Sequence, residues 1–210
     1  MTIPYNATKD SSRKYIREAL LEKGINPTKD ELTQVVNAIY SSMDSIVPGP
    51  MNVMRWIKKH VGLYIRNGAR EVEWVTPSGF TVNQKRDDIE TQIMELQLLG
   101  RTQVRIPTGK STPSPTKHKS STAPNYIHSF DASILHRSFN QFDEPFTVIH
   151  DSVLCRAGDM GTLNRLVRET YSNIFSEKCW LSEFAKTINA SEPPPIVGTL
   201  DPKVVSNSTY

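Results

Sequence analysis

Apolar residues recur every three or four positions through the first third of the chain, which is the spacing of helices with one buried face. Thr28 and Glu31 form a capping-box pattern, in which each side chain binds the other residue's free backbone amide. We therefore predict consecutive helices in this region. The residues that mark their ends are Ser11 or Ser12, Gly24, Thr28, Pro48, Gly49–Pro50 and Asn67–Gly68.

The apolar pattern then changes to alternation, which is typical of strands. Residues 71–75 and 80–82 alternate between apolar and polar side chains, and a turn-forming segment at 76–79 separates them. A β-hairpin is predicted there. Trp74 and Phe80 are expected to pack in this hairpin without a chemical role.

The middle of the chain gives a weaker signal. Residues 91–99 fit a helix or a strand, whereas residues 101–106 alternate like a strand. Residues 107–122 are rich in Pro and Ser and poor in apolar side chains, which predicts an exposed flexible loop or linker.

Apolar runs of strand and helix length follow one another through the last part of the chain. Phe146–Ile149 and Ser152–Cys155 are short apolar runs on either side of His150 and Asp151, which predicts a second hairpin. Helices are predicted at 125–142, after Asp159 and at 179–188, followed by a tail. The whole pattern predicts an α+β fold that is mostly helical.

Composition excludes several classes of protein. The 210 residues carry 25 Lys and Arg against 22 Asp and Glu, and this formal charge of +3 is too small to prove a nucleic-acid partner. No apolar run approaches the roughly 18 residues of a membrane span, so an integral membrane protein is not expected. Met1–Tyr5 lacks the regions of a signal peptide, and the two cysteines form no zinc pattern and no disulfide framework.

Positive charge is concentrated between Leu96 and Phe130, where no Asp or Glu occurs. Such a stretch is either a solvated loop or a surface that contacts phosphates, and composition alone favours the solvated loop. The cations of this stretch are Arg101, Arg105, Lys110, Lys117 and Lys119. The histidines His60, His118 and His136 are expected on the surface, and nothing groups them as metal ligands.

Asp151 is the candidate for chemistry. The predicted hairpin places its carboxylate at an exposed apex on a rigid base, and carboxylates so placed are good ligands for Mg²⁺. Two such ions could hold the attacking and leaving oxygens of a phosphoryl transfer. The alternative is an ordinary turn residue with His150 as a hydrogen-bonding neighbour, and spacing alone favours this alternative.

Several motifs occur along the chain in one fixed order. Together they resemble the C-terminal portion of the single-subunit, bacteriophage- and mitochondrial-type DNA-directed RNA polymerases. The motifs are Met1-Thr2 with Tyr5, W-V-T-P-x-G-F at 74–80, A-P-N-x-x-H-S at 123–129 with Asp131, and H-D-S at 150–152. The resemblance covers essentially the entire chain.

The resemblance implies roles for individual residues. Asp151 matches a metal-binding aspartate of the palm, and His150 matches the neighbour that supports the primer terminus and the metal. Tyr5 matches the tyrosine that monitors the sugar of the incoming nucleotide, although Asn6 follows it where the family usually has glycine. His128 matches the histidine that reads the minor groove and helps to select ribose. Asp151 and His150 are thus the expected catalytic residues, and Tyr5 and His128 the expected substrate-binding residues.

The resemblance also implies an organisation of the chain. Residues 1–84 would contain the end of the fingers motif, the helical block and a hairpin, and residues 85–122 a basic insertion in the place of the promoter-specificity loop. Residues 123–190 would form the palm with its small antiparallel hairpin, and residues 191–210 a C-terminal tail. The expected DNA-binding residues are Arg101, Arg105, Lys110, Lys117 and Lys119.

The family pattern further implies that part of the active site is absent. The other metal-binding aspartate and the triphosphate-binding lysine and arginine would precede Met1, so this chain alone should not polymerise. We expect it to need Mg²⁺, a DNA template and promoter, ribonucleoside triphosphates, the RNA transcript and the N-terminal part of the polymerase. A partial sequence, a split subunit and a remnant all fit this expectation.

Two other functions compete with this interpretation. A family A DNA polymerase also has a His-Asp pair at this point, but glutamate usually follows it, whereas Ser152 follows here. A non-catalytic DNA-binding module would explain an incomplete active site. The host cytoplasm is the expected location for a phage protein, and the mitochondrion is the alternative.

Overall fold

The computed structural model describes residues 8–97, 100, 102–196 and 198–207. Tyr5 and Arg101, two of the predicted site residues, lie outside the described residues. The elements, in chain order, are α1 Lys9–Glu22, α2 Lys29–Ile46, α3 Pro48–Arg66, β1 Val72–Val75, β2 Thr81–Gln84, β3 Asp87–Leu96, β4 Thr102–Pro113, α4 Pro115–Phe139, β5 Phe146–Ile149, β6 Ser152–Cys155, α5 Met160–Glu177, α6 Trp180–Thr187 and α7 Lys203–Ser206. The predicted α+β class is confirmed.

Local hydrogen bonds explain where the first helices begin and end. The Thr28 N–H donates to Glu31 Oε2 at 2.7 Å and the Glu31 N–H to Thr28 Oγ1 at 3.3 Å, so the predicted capping box is confirmed. The Thr28 N–H and hydroxyl, which both donate to the Glu31 carboxylate, hold the pKa of Glu31 below its usual range. Helix α1 begins before the predicted Ser11 or Ser12, because Thr8 caps it. Gly24 ends it in a left-handed conformation, with φ of 75°.

Three two-stranded antiparallel sheets account for the strands of the described chain. The predicted hairpins at β1–β2 and β5–β6 are both confirmed, with Trp74 opposite Val82 and Ile149 opposite Ser152. The third hairpin, β3–β4, pairs Asp87 with Pro113 at its base and Leu96 with Thr102 near its end.

The predicted loop at 107–122 is wrong. Residues up to Pro113 belong to β4, where prolines are tolerated because a two-stranded sheet has only edge strands. Ser114 then caps α4 with its Oγ, and Pro115 occupies the first turn, where its missing N–H costs no hydrogen bond. Composition indicated a loop because Pro and Ser are common in loops. The same residues also occur in edge strands and at the starts of helices, which is where they lie here.

The main core lies between α3, α4, α6 and the hairpin β1–β2. Trp74 is buried, its indole N–H donates to Ser129 Oγ at 3.0 Å, and its ring meets those of Tyr126 and Phe184. Burial in this cluster raises the pKa of Tyr126. Phe80, in contrast, is 65% exposed, so its predicted packing is wrong.

Two of the three histidines expected on the surface are buried. His60 packs against the Trp56 ring with centroids 4.9 Å apart, and His118 is fully enclosed at the base of β3–β4. Only His136 is exposed as predicted. Gln84 and Arg86, which contact His118, are more than 30 residues away in sequence, so local pattern gave no sign of its burial.

A smaller core supports the hairpin β5–β6. Phe142, Leu163 and Leu166 are buried there, and Val153 and Cys155 of β6 pack against them. The rings of Phe139 and Phe146 stack with centroids 4.0 Å apart and join the hairpin to α4. Within the part of the chain that the structure describes, no helix combines the length and the apolar character needed to span a membrane.

Candidate functional site

The turn between β5 and β6 presents the predicted catalytic residues. Ile149 and Ser152 form the last pair of the ladder, so His150 and Asp151 make the turn, and both are exposed. His150 has φ of 57°, a left-handed conformation that costs a residue with a Cβ about 1 kcal/mol. The predicted placement of Asp151 at an exposed apex on a supported base is therefore confirmed.

A largely apolar cavity of about 440 Å³ is lined by residues of this hairpin and of α4. His150 is one of its lining residues. The other lining residues are Ala132, Leu135, His136, Phe139, Asn140, Phe146 and Val148.

Helix α4 brings two further titratable groups toward Asp151. His128 and Asp131 lie one helical turn apart, with 3.9 Å between Nδ1 and Oδ2. Burial raises the pKa of Asp131, the charge of His128 lowers it, and the negative charge of Asp151 raises it further. The charges of both His128 and Asp151 therefore act on Asp131.

Asp131 is the residue that the sequence analysis missed. It was part of the matched motif, but no role followed from its position. Its spacing of three residues from His128 on a predicted helix was the available signal, since such residues share a face. Its proximity to Asp151 depends on a contact between separate elements, which spacing could not give.

A second, more polar cavity of about 470 Å³ lies where β2 ends beside α4. His128, whose imidazole is exposed, lines this second cavity. The remaining lining residues are Val82, Asn83, Gln84, Lys85, Arg86, Asn125 and Ser129.

The predicted DNA-binding cations do not lie on one loop. Arg105 and Lys110 are exposed on β4, whereas Lys117 and Lys119 belong to α4. Lys117 Nζ lies 2.9 Å from Asp88 Oδ1. The Lys119 side chain runs along α3, where a Cβ on Gly62 would lie 3.1 Å from its Nζ.

The basic character of this region is weaker than the sequence suggested. Strand β3 places four acidic residues beside the acid-free strand β4, namely Asp87, Asp88, Glu90 and Glu95. The count of charges between Leu96 and Phe130 did not include the acidic residues of β3, because strand pairing brings together residues that are far apart in sequence.

The described residues offer a divalent cation few ligands. Among residues 8–97, 100, 102–196 and 198–207, no group of three or more His, Cys, Asp or Glu is close enough to hold a metal ion. Asp151 and Asp131 are nevertheless carboxylates with coupled charges, and Mg²⁺ commonly takes only one or two protein carboxylates besides substrate phosphates.

Comparison with known proteins decides the family. A model of the DNA-dependent RNA polymerase family matches residues 1–199. The chain belongs to this family. The resemblance that the motifs indicated is therefore confirmed over nearly the whole sequence.

Relatives within the family come from phages and mitochondria. The chain is 24% identical to the DNA-directed RNA polymerase of Pseudomonas phage phiKMV, over 99% of its length. It is 26% identical to the mitochondrial DNA-directed RNA polymerase of Homo sapiens over 100% of its length, and 29% identical to T7 RNA polymerase of Escherichia phage T7 over 88%. It spans 26%, 19% and 24% of these three polymerases, respectively.

Proposed function

We propose that this chain forms the C-terminal, palm-and-fingers part of a DNA-directed RNA polymerase. In the complete enzyme, the RNA 3′-hydroxyl attacks the α-phosphate of a ribonucleoside triphosphate on a DNA template, and pyrophosphate leaves. The observation that carries the proposal is the exposed Asp151 carboxylate, held at the apex of β5–β6 in a chain of this family.

Asp151 is proposed as a ligand of Mg²⁺, with His150 supporting the primer terminus beside it. The described residues fit only part of a magnesium site. They provide the carboxylate of Asp151 at the turn and a second carboxylate at Asp131, whose pKa the charge of Asp151 raises, but no larger group of ligands. A bound ion would stabilise the charge of the transferring phosphoryl group. The other metal-binding aspartate is proposed to come from the N-terminal part of the polymerase.

His128 and Tyr5 are proposed to select ribose. The 2′-hydroxyl is a donor and an acceptor, so an imidazole or a phenol can bind it. The support for this role of His128 is that it is exposed, lines the polar cavity and lies beside Asp131. Tyr5 rests on the motif match, since it lies outside the described residues.

DNA binding is proposed for the insertion at 85–122, whose main element is the β3–β4 hairpin. Arg105 and Lys110 support this role best, because both are exposed on β4. Lys117 and Lys119 are proposed as weaker contributors, because Asp88 and the surface of α3 hold them. Arg101 completes the set and lies outside the described residues.

The remaining boundaries are proposed as the motifs indicated them. Residues 1–84 would carry the end of the fingers motif with the helical block, residues 123–190 the palm, and residues 191–210 a tail. The relatives include phage and mitochondrial enzymes, so the host cytoplasm and the mitochondrion both stay proposed locations.

A reconstitution experiment tests this function. The purified chain is mixed with the N-terminal part of a family polymerase that ends before the matched region, and synthesis on a DNA template is assayed with ribonucleotides and with deoxyribonucleotides. Ribonucleotide-dependent synthesis that requires both parts is expected.

Other outcomes point to the competing functions. Synthesis only from deoxyribonucleotides would favour a family A DNA polymerase. Salt-dependent DNA binding without any synthesis would favour a DNA-binding module, for which the exposed β3–β4 hairpin is the structural argument.

A further inference from the structure

The β3–β4 hairpin projects from the rest of the described chain. Its strands pair with each other from Asp87–Pro113 to Leu96–Thr102, and nearly all residues of both strands are exposed. A strand of ten residues is about 33 Å long. A rotation of about 10° at the base would therefore move the far end by about 6 Å. The base decides where this hairpin points.

Hydrogen bonds from α4 hold that base. The backbone of Arg86, just before β3, is fixed at both ends: its C=O accepts from the Ser114 N–H at 2.8 Å, and its N–H donates to His118 Nε2 at 3.3 Å. Lys117 Nζ also donates to the Asp87 C=O at 2.6 Å. The residues that make these bonds all come from the start of α4 or its cap.

A buried polar cluster of Gln84, His118, Thr122 and Asn125 lies beneath these bonds. Gln84 Nε2 donates to Thr122 Oγ1 at 2.7 Å and lies 3.3 Å from His118 Nδ1, and Asn125 Nδ2 donates to Gln84 Oε1 at 2.7 Å. His118 and Thr122 are fully buried, and Gln84 is 5% exposed. Asn125 precedes His128 by one turn of α4, so the cluster joins the hairpin base to the helix of the ribose-selecting candidate.

The protonation state of His118 matters to this geometry. A backbone N–H can only donate, so Nε2 must be unprotonated to accept from Arg86. Burial lowers the pKa of His118, Asp87 raises it and Arg86 lowers it. The neighbouring cations on α4 have other contacts, Lys117 with Asp88 and the Asp87 C=O, and Lys119 with α3. The native environment thus favours the neutral ring.

We propose that His118 and Gln84 are positioning residues that set the direction of the β3–β4 hairpin, and through it the place where Arg105 and Lys110 meet DNA. The role in DNA binding rests on the proposed function, whereas the positioning does not. Loss of the acceptor at residue 118 frees the Arg86 N–H, and loss of the Gln84 amide removes the hydrogen bonds that it makes to Thr122 Oγ1 and Asn125 Nδ2 in the buried cluster.

Distances between two spin labels test the positioning directly. The labels are placed at Thr102 on β4 and at Leu63, which is exposed on α3, in the full chain with Cys155→Ala and Cys179→Ser. Pulsed electron paramagnetic resonance should give one narrow distance distribution at pH 7.5. His118→Ala should at least double its width, and His118→Gln, which restores an uncharged acceptor, should return it to the parent value.

A matched control separates positioning from general loss of packing. His60 is also a buried histidine, on α3 away from the hairpin, so His60→Ala should leave the distribution narrow even if it lowers the melting temperature. Acidification below pH 6.5, the usual pKa of histidine, should broaden the parent distribution as His118 gains a proton, but not that of His118→Gln.

The outcomes distinguish this inference from the proposed function. A narrow, unshifted distribution in folded His118→Ala would overturn the inference. If His118→Ala does not fold, Gln84→Met and the acid series on the parent chain decide, and unchanged widths in both would overturn it. A third outcome would contradict the proposed function alone. In it, the distance distribution broadens in these variants, but DNA affinity is unchanged by Arg105→Ala and Lys110→Ala.

Discussion

The hairpins β5–β6 and β3–β4 show two ways in which this chain supports an element for which a function is proposed. The first is short, packs Val153 and Cys155 on a small core and presents Asp151 at its turn. The second is long and exposed, and hydrogen bonds at its base hold it. Packing on a core suits a carboxylate that is proposed to act beside a reacting group, whereas hydrogen bonds at the base set the direction of a long hairpin that is proposed to contact DNA.

The largest expected effect is the loss of stability caused by a substitution in the small core that supports β5–β6. Phe142 is buried beneath this hairpin, so Phe142→Ala should lower the free energy of unfolding by about 3–5 kcal/mol, because it leaves a cavity in a small core. Urea denaturation followed by circular dichroism measures this change. Phe80→Ala is the matched control, since that ring is 65% exposed, and it should change stability by less than about 0.5 kcal/mol. Equal losses for both variants would show that the small core does not support the hairpin.

A smaller effect tests the DNA contacts proposed for the exposed β3–β4 hairpin. Arg105→Ala combined with Lys110→Ala should reduce the salt dependence of DNA binding by about 2 in the slope of log K against log salt, since each phosphate contact contributes about 0.9. Fluorescence anisotropy of a labelled duplex measures the slope. Arg165→Ala with Lys203→Ala removes two cations from α5 and α7 and should leave it unchanged. A similar fall in both pairs would indicate general attraction to the whole surface.

The smallest expected effect is a change in the pKa of Asp131, which tests the electrostatic influence of Asp151. Because the charge of Asp151 raises the pKa of Asp131, Asp151→Asn should lower it, and His128→Ala should raise it. A native pKa above the unfolded value means that this carboxyl binds its proton more tightly when folded, so its contribution to stability declines as pH rises through that window. Carboxyl carbon chemical shifts measured against pH report these changes. An Asp131 pKa that is unchanged by both substitutions would show that neither His128 nor Asp151 influences Asp131.

Much of the fold could be predicted because its signals are local. The Thr28–Glu31 capping box and the short apolar runs around His150-Asp151 each act within a few residues, so sequence was enough. The segment 107–122 failed for the opposite reason. Its strand exists by pairing with β3, and its Pro and Ser residues serve strand edges and a helix cap.

The site divides in the same way. Asp151 and His150 were placed correctly at their turn by local pattern and by family resemblance. The burial of His118 and the coupling of Asp131 to Asp151 depend on elements that meet only in the folded chain. The position of these two residues at a turn was therefore predictable, and the environment of each group was not.

RNA synthesis by the reconstituted polymerase with Asp151→Asn tests the central claim most directly. Asp143→Asn, a change at another exposed carboxylate just before β5, is the matched control. The account predicts that Asp151→Asn keeps the melting temperature of the chain but lowers synthesis at least about 100-fold, as expected for loss of a metal ligand worth several kcal/mol. Synthesis within about twofold of the parent rate would contradict it.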